Sequence, residues 1–129
     1  MQSGAVYSDQ APAAVGPYSQ ARWAGDFLFV SGQIGLEPAK GQLVNGGVQF
    51  QAIQAMRNLA AILQAAGLGW TQVVKVTIFL ANMVDFAVVN QAYASFFEEG
   101  AALPARVCVA VAGLPKGALV EIEAVACKG

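Results

Sequence analysis

The spacing of apolar residues predicts two amphipathic helices. In residues 48–66 apolar side chains recur every three or four positions, which matches the turn of an α-helix, and Gly67 is typical of the residue after a helix C-terminus. The recurring positions are Ile53, Met56, Leu59 or Ala60, and Leu63. A second helix is expected after Asp85, which suits the N-cap, with its end at residues 98–100. Its inner face is expected to carry Phe86, Val89, Tyr93 and Phe96.

Shorter apolar runs predict strands. Residues 27–31 form an aromatic and aliphatic run closed by Gly32, and residues 17–23 are a weaker candidate. In residues 73–80 successive side chains are expected to alternate between two faces of a sheet. One face is predicted to carry Val74, Val76, Ile78 and Leu80, and the other Lys75 and Thr77. Residues 36–47 are rich in turn-forming residues and are predicted to be a loop.

The last third of the chain predicts two further strands, residues 105–111 and 119–127. The connection between them is longer than a tight hairpin, so the two strands need not be neighbours in the sheet. Strand, helix, strand, helix, strand, strand describes an α+β fold in which two helices pack on one face of a mixed sheet. A length of 129 residues suits one domain, residues 1–129.

The absence of histidine excludes several kinds of active site. Without an imidazole the chain has no Ser-His or Cys-His nucleophile pair and no ordinary catalytic zinc set. Proton transfer near neutral pH must then use a carboxylate, a lysine, a tyrosine, a thiol or bound water. We therefore expect no metal and no cofactor.

Charge and hydropathy narrow the remaining classes. Seven basic and eight acidic residues give a net charge of −1, which argues against a protein that binds nucleic acid through its phosphates. Residues 1–14 contain no basic residue and no apolar run, and residues 58–74 are too interrupted to span a membrane. Cys108 and Cys127 form no C-x-x-C pair, so we expect reduced thiols in a cytoplasmic protein. A hydrophobic fraction of 57% suggests either that apolar surface is buried against other subunits or that the chain has a large core.

Three charged residues interrupt otherwise apolar strands. Arg106 lies in the first of the two C-terminal strands, and Glu121 and Glu123 lie in the second. In one interpretation Arg106 pairs with Glu121 or Glu123 across neighbouring strands on a solvated face of the sheet. In the other, Arg106 is a fork for the carboxylate of a ligand, and a nearby glutamate handles water or protons. Spacing does not choose between them.

Ordered motifs resemble one family from about residue 5 to the C-terminus. The C-terminal motifs are Pro104-Ala105-Arg106, Val109, Leu114-Pro115-Lys116 and Val120-Glu121-Ile122-Glu123-Ala124. The upstream motifs are Ala13-Ala14-Val15-Gly16-Pro17-Tyr18-Ser19-Gln20-Ala21, Ser31-Gly32-Gln33-Ile34, Ala65-Ala66-Gly67-Leu68, Asp85-Phe86 and Val89-Asn90. In this order they resemble the reactive-intermediate deaminase family, the RidA or YjgF type.

The resemblance implies a chorismate-mutase-like fold and a homotrimer. Three sheets would enclose a central β-barrel, with the active sites in clefts between subunits. Similar proteins hydrolyse enamine and imine acids, such as 2-aminoacrylate and 2-iminobutanoate, to 2-keto acids and ammonia. The expected partners are therefore two more copies of the chain and a small imino acid, with no membrane and no nucleic acid.

The resemblance also assigns the site residues. Arg106 would bind the substrate carboxylate, and Glu121 would hold the attacking water or shuttle its proton. Tyr18, Ser31 and Asn90 would line the cleft. The main chain at Gly32 and Cys108 would supply hydrogen bonds, with the Cys108 thiol interpreted as buried and inert.

Two other functions remain open from the sequence. The same trimer could bind a keto acid or another small carboxylate as a regulatory protein, without turnover. Some animal relatives in the family suggest a ribonuclease or a translation inhibitor, which the absence of a basic patch disfavours.

Overall fold

The computed structural model describes residues 4–129 as eight strands and two helices joined by loops and short 3₁₀ turns. Residues 1–3, the start of the N-terminal segment considered above, lie outside the described part. The strands are β1 (Ala5–Val6), β2 (Ala21–Ala24), β3 (Phe27–Ile34), β4 (Leu36–Glu37), β5 (Gln42–Leu43), β6 (Val73–Leu80), β7 (Ala105–Ala110) and β8 (Val120–Cys127). The helices are α1 (Val48–Ala65) and α2 (Phe86–Ala94).

Six strands form one mixed sheet in the order β1-β2-β3-β8-β6-β7. The neighbouring pairs are antiparallel except β6 and β7, which are parallel. Although β7 and β8 follow each other in the chain, β6 lies between them, so the expectation that they need not be neighbours is confirmed. Strands β4 and β5 form a small hairpin inside the segment predicted as a loop.

Both helices pack on one face of this sheet, as the α+β prediction required. The buried core joins helix residues such as Met56 and Leu59 to sheet residues such as Leu28, Val76 and Ile122. Neither helix in residues 4–129 combines the length and the hydropathy needed to cross a bilayer.

Helix α1 ends close to where the sequence predicts. The N–H of Leu68 donates to the carbonyl oxygen of Leu63 at 2.9 Å, and the N–H of Gly67 donates to that of Gln64 at 2.9 Å. This pair of bonds is the Schellman arrangement, and Gly67 provides its left-handed residue with φ of 79°. The fully buried Asn58 fastens α1 to the end of β3, because its Nδ2 donates to the carbonyl oxygens of Ile34 and Leu36.

The predicted orientation of one strand residue is wrong, and one predicted N-cap is right. Val74 is exposed, because β6 has a bulge between Val73 and Lys75 that turns it away from the core. Asp85 is the N-cap residue of α2, as predicted, although its side chain makes no hydrogen bond there; in the turn before it, the side chain of Asn82 accepts a hydrogen bond from the N–H of Val84.

The second helix also differs from the prediction. It ends at Ala94, before the expected end at residues 98–100. Phe86 at its start is exposed and does not belong to the inner face.

The face of the sheet opposite the helices remains open and largely apolar. Four of its side chains are 40–51% exposed in the single chain: Phe27, Phe29, Val107 and Val109. Solvent-facing strand positions of this kind are usually polar. An exposed apolar face of this kind is typical of an interaction surface.

Candidate functional site

Arg106 lies on the edge strand β7 and points to the helix-covered side of the sheet. Its partner in register on β6 is Val76, which is fully buried beneath the helices. One guanidinium nitrogen, Nη1, donates to the Oδ1 atom of Asn90 on α2 at 2.6 Å. Asn90 is half-buried at the edge of the sheet, and its side-chain oxygen is occupied by this hydrogen bond.

Aromatic rings complete the surroundings of this guanidinium. The Cζ atom of Arg106 lies 5.1 Å from the centre of the Tyr93 ring and 5.8 Å from that of Phe86. Burial raises the pKa of the Tyr93 hydroxyl, although the positive charge of Arg106 acts in the opposite direction. Both rings were predicted as core residues, and their contact with Arg106 was missed.

A shallow groove of about 450 Å³ opens beside these residues. Its lining includes Asn90, Tyr93, Leu103, Pro104 and Arg106, with Glu98 and Glu99 also on its wall. Within residues 4–129 no carboxylate lies within 4.0 Å of the guanidinium. The groove therefore presents a cation whose charge is not neutralised by a contact within the described chain.

Cys108 lies two residues beyond Arg106 on the same face of β7. Burial raises the pKa of its thiol, and the nearby positive charge of Arg106 only partly opposes this. The thiol therefore stays protonated near neutral pH. Because β7 is an edge strand, part of its backbone hydrogen-bonding capacity faces away from the sheet.

Glu121 lies on the other face of the sheet. It pairs in register with Phe79 of β6 and alternates with the fully buried Val120 and Ile122. The carboxyl is half-buried, and its pKa is raised first by burial and second by the negative charge of Glu123.

Gly32 and Glu121 fit closely together. A Cβ atom at Gly32 would overlap the carboxylate of Glu121 where it now lies, so a larger residue would require that carboxylate to move. They share a cavity of about 210 Å³. Its remaining walls are Pro12, Ala13, Val15, Tyr18, Gln20, Gln33, Ile34, Leu36, Pro115 and Lys116.

Tyr18 and Ser31 belong to the surface on this side. Tyr18 is half-exposed and lines the cavity of Glu121. Ser31 donates its hydroxyl to the carbonyl oxygen of Ser19 at 2.6 Å and lies on an adjoining groove with Tyr18 and Glu123.

Gln20, which the sequence interpretation did not single out beyond its motif, holds the wall of the cavity in place. Its buried amide accepts from the N–H of Ser8 at 2.7 Å and donates to the carbonyl oxygen of Pro12 at 2.8 Å. The position of Gln20 directly before strand β2 was the available signal.

The predicted site residues thus form two separate groups in one chain. Asn90, Arg106 and Cys108 share the helix side of β7, whereas Tyr18, Gly32 and Glu121 surround a cavity on the other side of the sheet. The interpretation in which Arg106 pairs with Glu121 or Glu123 across neighbouring strands is wrong for the chain itself, because β6 separates β7 from β8 and the side chains point to opposite faces. Residues 4–129 also hold no group of three or more cysteines and carboxylates arranged to bind a metal.

Comparison with known proteins decides the family. A family model described as Endoribonuclease L-PSP matches residues 8–128. The chain belongs to this family, the RidA or YjgF type. The resemblance found in the ordered motifs of this RidA-family chain is confirmed.

Individual relatives cover nearly the whole of the RidA-family chain. It is 50% identical over 124 residues to the protein of Mus musculus named 2-iminobutanoate/2-iminopropanoate deaminase, an alignment that covers 96% of this chain and 90% of the relative. A solved structure of E. coli TdcF with bound serine superposes with a TM-score of 0.92 at 41% identity, covering 97% of this chain and 98% of that one. The YjgF gene product of E. coli gives a TM-score of 0.92 at 43% identity, covering 98% and 100% of the two chains. The α+β fold with both helices on one face is the fold of these relatives.

Proposed function

We propose that this chain hydrolyses 2-imino acids and their enamine tautomers, such as 2-iminobutanoate and 2-aminoacrylate, to 2-keto acids and ammonia. The observation that carries the proposal is the guanidinium of Arg106, which Asn90 holds at 2.6 Å and which faces an open groove with no carboxylate of residues 4–129 in contact. The 50% identity to a relative named for this activity agrees with it.

The site is proposed to form between subunits of a homotrimer. The open face of the sheet carries exposed apolar side chains, of which Phe29 is 51% exposed, and burying them against two more copies would remove them from water. Because Arg106 and Glu121 lie on opposite faces, one chain cannot offer both to one small ligand. Adjacent chains of a closed ring can do so, with Arg106 from one subunit and Glu121 from the next.

Arg106 is proposed to bind the substrate carboxylate. A guanidinium presents several N–H donors in a plane, and a carboxylate can accept two of them in parallel. Asn90 uses one nitrogen of this fork and leaves the other donors for the ligand. Lysine lacks this planar fork, so it would be a poor replacement.

Glu121 is proposed to hold the attacking water. The water oxygen bonds to C2 of the protonated imine while its proton passes to the Glu121 carboxylate, which gives a carbinolamine. That proton then returns to the nitrogen, the C–N bond breaks, and ammonia leaves as the C2 carbonyl forms, while the proton of the C2 hydroxyl passes to the Glu121 carboxylate and from there to the released ammonia or to solvent. The raised pKa of Glu121 suits this exchange, because a base is most effective when its pKa lies near the working pH.

The remaining predicted residues are proposed to shape the cleft. Tyr18 and Ser31 contribute polar groups beside Glu121, Gly32 leaves room for its carboxylate, and the main chain at Gly32 and Cys108 offers hydrogen bonds. The reaction adds water to a polarised C=N bond and involves no change of oxidation state, so positioning supplies much of the rate and no cofactor is required.

A coupled assay tests the proposal. Threonine dehydratase generates 2-iminobutanoate from threonine, and its loss is followed with and without the purified protein. We expect faster loss with the wild type and a loss of at least about a hundredfold in kcat/KM for Arg106→Ala, as a charged hydrogen-bond partner is removed. Arg57→Ala is the matched control, since Arg57 is exposed on α1. No acceleration by the wild type, or full activity in Arg106→Ala, would overturn the proposal.

A second candidate is a protein that binds small carboxylates without turnover. The observation that favours it is the relative of known structure that holds a bound serine. Binding of 2-oxobutanoate that is lost in Arg106→Ala, together with no hydrolysis of the imine, would decide for this role.

A further inference from the structure

The guanidinium of Arg106 is held by one hydrogen bond and by aromatic surfaces. The bond to Asn90 fixes the position of Nη1 at 2.6 Å but still allows the guanidinium plane to turn about that contact. A bidentate grip on a carboxylate depends on the orientation of this plane. A second contact is therefore needed to set the orientation.

Tyr93 is the better placed of the two neighbouring rings. The Cζ atom lies over its ring at 5.1 Å, against 5.8 Å for Phe86, and cation–π attraction extends to about 6 Å. Tyr93 follows Asn90 by three residues on α2, so the two side chains lie one turn apart on the same side of the helix.

The Tyr93 ring is itself rigidly held. It is only 6% exposed, whereas Phe86 is 39% exposed. Its ring centre lies 4.9 Å from that of Phe97, which in turn lies 5.4 Å from Trp70. A ring anchored in this aromatic cluster can hold a mobile guanidinium, whereas a ring at the surface has more freedom of its own.

An aromatic support also preserves the charge that a ligand needs. A carboxylate partner would orient the guanidinium equally well, but it would occupy the donors and cancel the positive charge. A π-face attracts the cation without using its in-plane N–H groups. Glu98 and Glu99 line the same groove, but no carboxylate of residues 4–129 lies within 4.0 Å of the guanidinium, which agrees with this arrangement.

We propose that Tyr93 is a positioning residue of the site, whose ring, together with the amide of Asn90, sets the plane of the Arg106 guanidinium for a ligand carboxylate. The role belongs to the ring and not to the hydroxyl. The inference rests on the proposed function for the identity of the ligand, but the arrangement of Arg106 and Tyr93 exists without it.

Nuclear magnetic resonance of the arginine side chains tests the arrangement in the ligand-free protein. The chain has three arginines, Arg22, Arg57 and Arg106, and Arg106→Lys identifies the Nε–Hε signal of the third. We expect this signal in the wild type to be displaced by the ring current and to show restricted motion. Tyr93→Leu should move it toward the signals of the two exposed arginines, and Tyr93→Phe should leave it in place.

Ligand affinity gives the second readout. Binding of 2-oxobutanoate should weaken about tenfold in Tyr93→Leu, which is within the range of a cation–π contact, and stay near the wild-type value in Tyr93→Phe. Phe96→Leu is the matched control, because Phe96 contacts Trp70 in the same cluster. It should lower stability without changing affinity.

Several results would overturn the role of Tyr93. The first is an Arg106 signal that is not displaced in the wild type, and this result is decisive even if Tyr93→Leu fails to fold. The second is a signal and an affinity that do not change in Tyr93→Leu. The third is an equal loss of affinity in Tyr93→Phe and Tyr93→Leu. A wild type that does not hydrolyse imines would refute the proposed function instead, since neither readout depends on turnover.

Discussion

Arg106 and Glu121 lie on opposite faces of one sheet. Arg106 stands in register with the buried Val76, and Glu121 stands in register with Phe79 on the open side. The two residues proposed to bind and hydrolyse one substrate therefore cannot meet within a chain. Each chain is expected to contribute to two different sites.

Complementation between two inactive variants tests this arrangement. Arg106→Ala and Glu121→Gln should each be inactive alone. In a trimer that contains both variants, a site is complete only where one subunit keeps its arginine and the next keeps its glutamate. This holds at one of the three junctions, so about a third of wild-type activity should return. The measurement is imine hydrolysis by co-expressed, doubly tagged trimers. If the mixed trimers are as inactive as their parents, both residues act from the same subunit.

The apolar open face predicts the oligomeric state. Phe29 is 51% exposed in the single chain, and a charge at its position would be buried without a partner in a trimer. Phe29→Lys should therefore yield monomers in sedimentation or light scattering and lose activity along with the shared cleft. Phe50→Lys provides the comparison, because Phe50 is 52% exposed on α1 and should tolerate the charge. Monomeric wild-type protein would rule out the shared site.

Local patterns predicted most of the elements. Alternation gave β6 its observed limits, Val73–Leu80, and the three- and four-residue spacing placed α1 within one residue of its observed end. These predictions succeed because one side of each element is buried, so its apolar residues repeat with the period of a strand or a helix. The predicted orientation of Val74 was wrong because Val73 and Val74 are both apolar. The bulge that exposes Val74 therefore does not change the pattern of apolar and polar residues.

The arrangement of the site was beyond local patterns. Whether Arg106 faces Glu121 depends on β6 lying between β7 and β8, which is a long-range pairing that alternation within a strand does not encode. Tyr93 was identified as an inner-face residue, correctly, but the same position touches Arg106. The three-residue spacing from Asn90 to Tyr93 was the one local signal of that contact.

The raised pKa of Glu121 predicts the pH dependence of the reaction. As a base Glu121 must be ionised, so kcat/KM should fall as the pH drops through the pKa of Glu121. This fall should occur at a higher pH than for an ordinary glutamate, whose pKa is about 4.3. Glu123→Gln removes the second cause of the shift and should move this acid limb to lower pH. If the acid side of the pH profile of kcat/KM does not move in Glu123→Gln, the group that titrates there is not Glu121.

The same shift predicts a gain in stability from Glu121→Gln. A carboxyl whose pKa is raised on folding binds its proton more tightly in the folded state, so its contribution to stability is full below the unfolded pKa and is lost as the pH rises through the folded pKa. Glutamine resembles the protonated form. The variant should therefore have a higher Tm than the wild type at neutral pH, and the difference should vanish at acidic pH. Equal Tm values at neutral pH would show that the ionised carboxylate is not disfavoured by folding.

The contact between Gly32 and Glu121 predicts a variant that separates activity from folding. In Gly32→Ala the new methyl group overlaps the Glu121 carboxylate, which is the mobile end of a side chain and can turn away. The cost in stability should stay near the lower end of the range for overpacking, about 1 kcal/mol. The displaced carboxylate should no longer hold water, and kcat/KM should fall by about a hundredfold, comparable to the loss of one positioned catalytic base.

Gly113→Ala is the control, because a Cβ atom there meets nothing within 4 Å. Urea unfolding at fixed chain concentration and the coupled imine assay measure the two effects, and full activity in Gly32→Ala would mean that the position of the Glu121 carboxylate does not control the reaction.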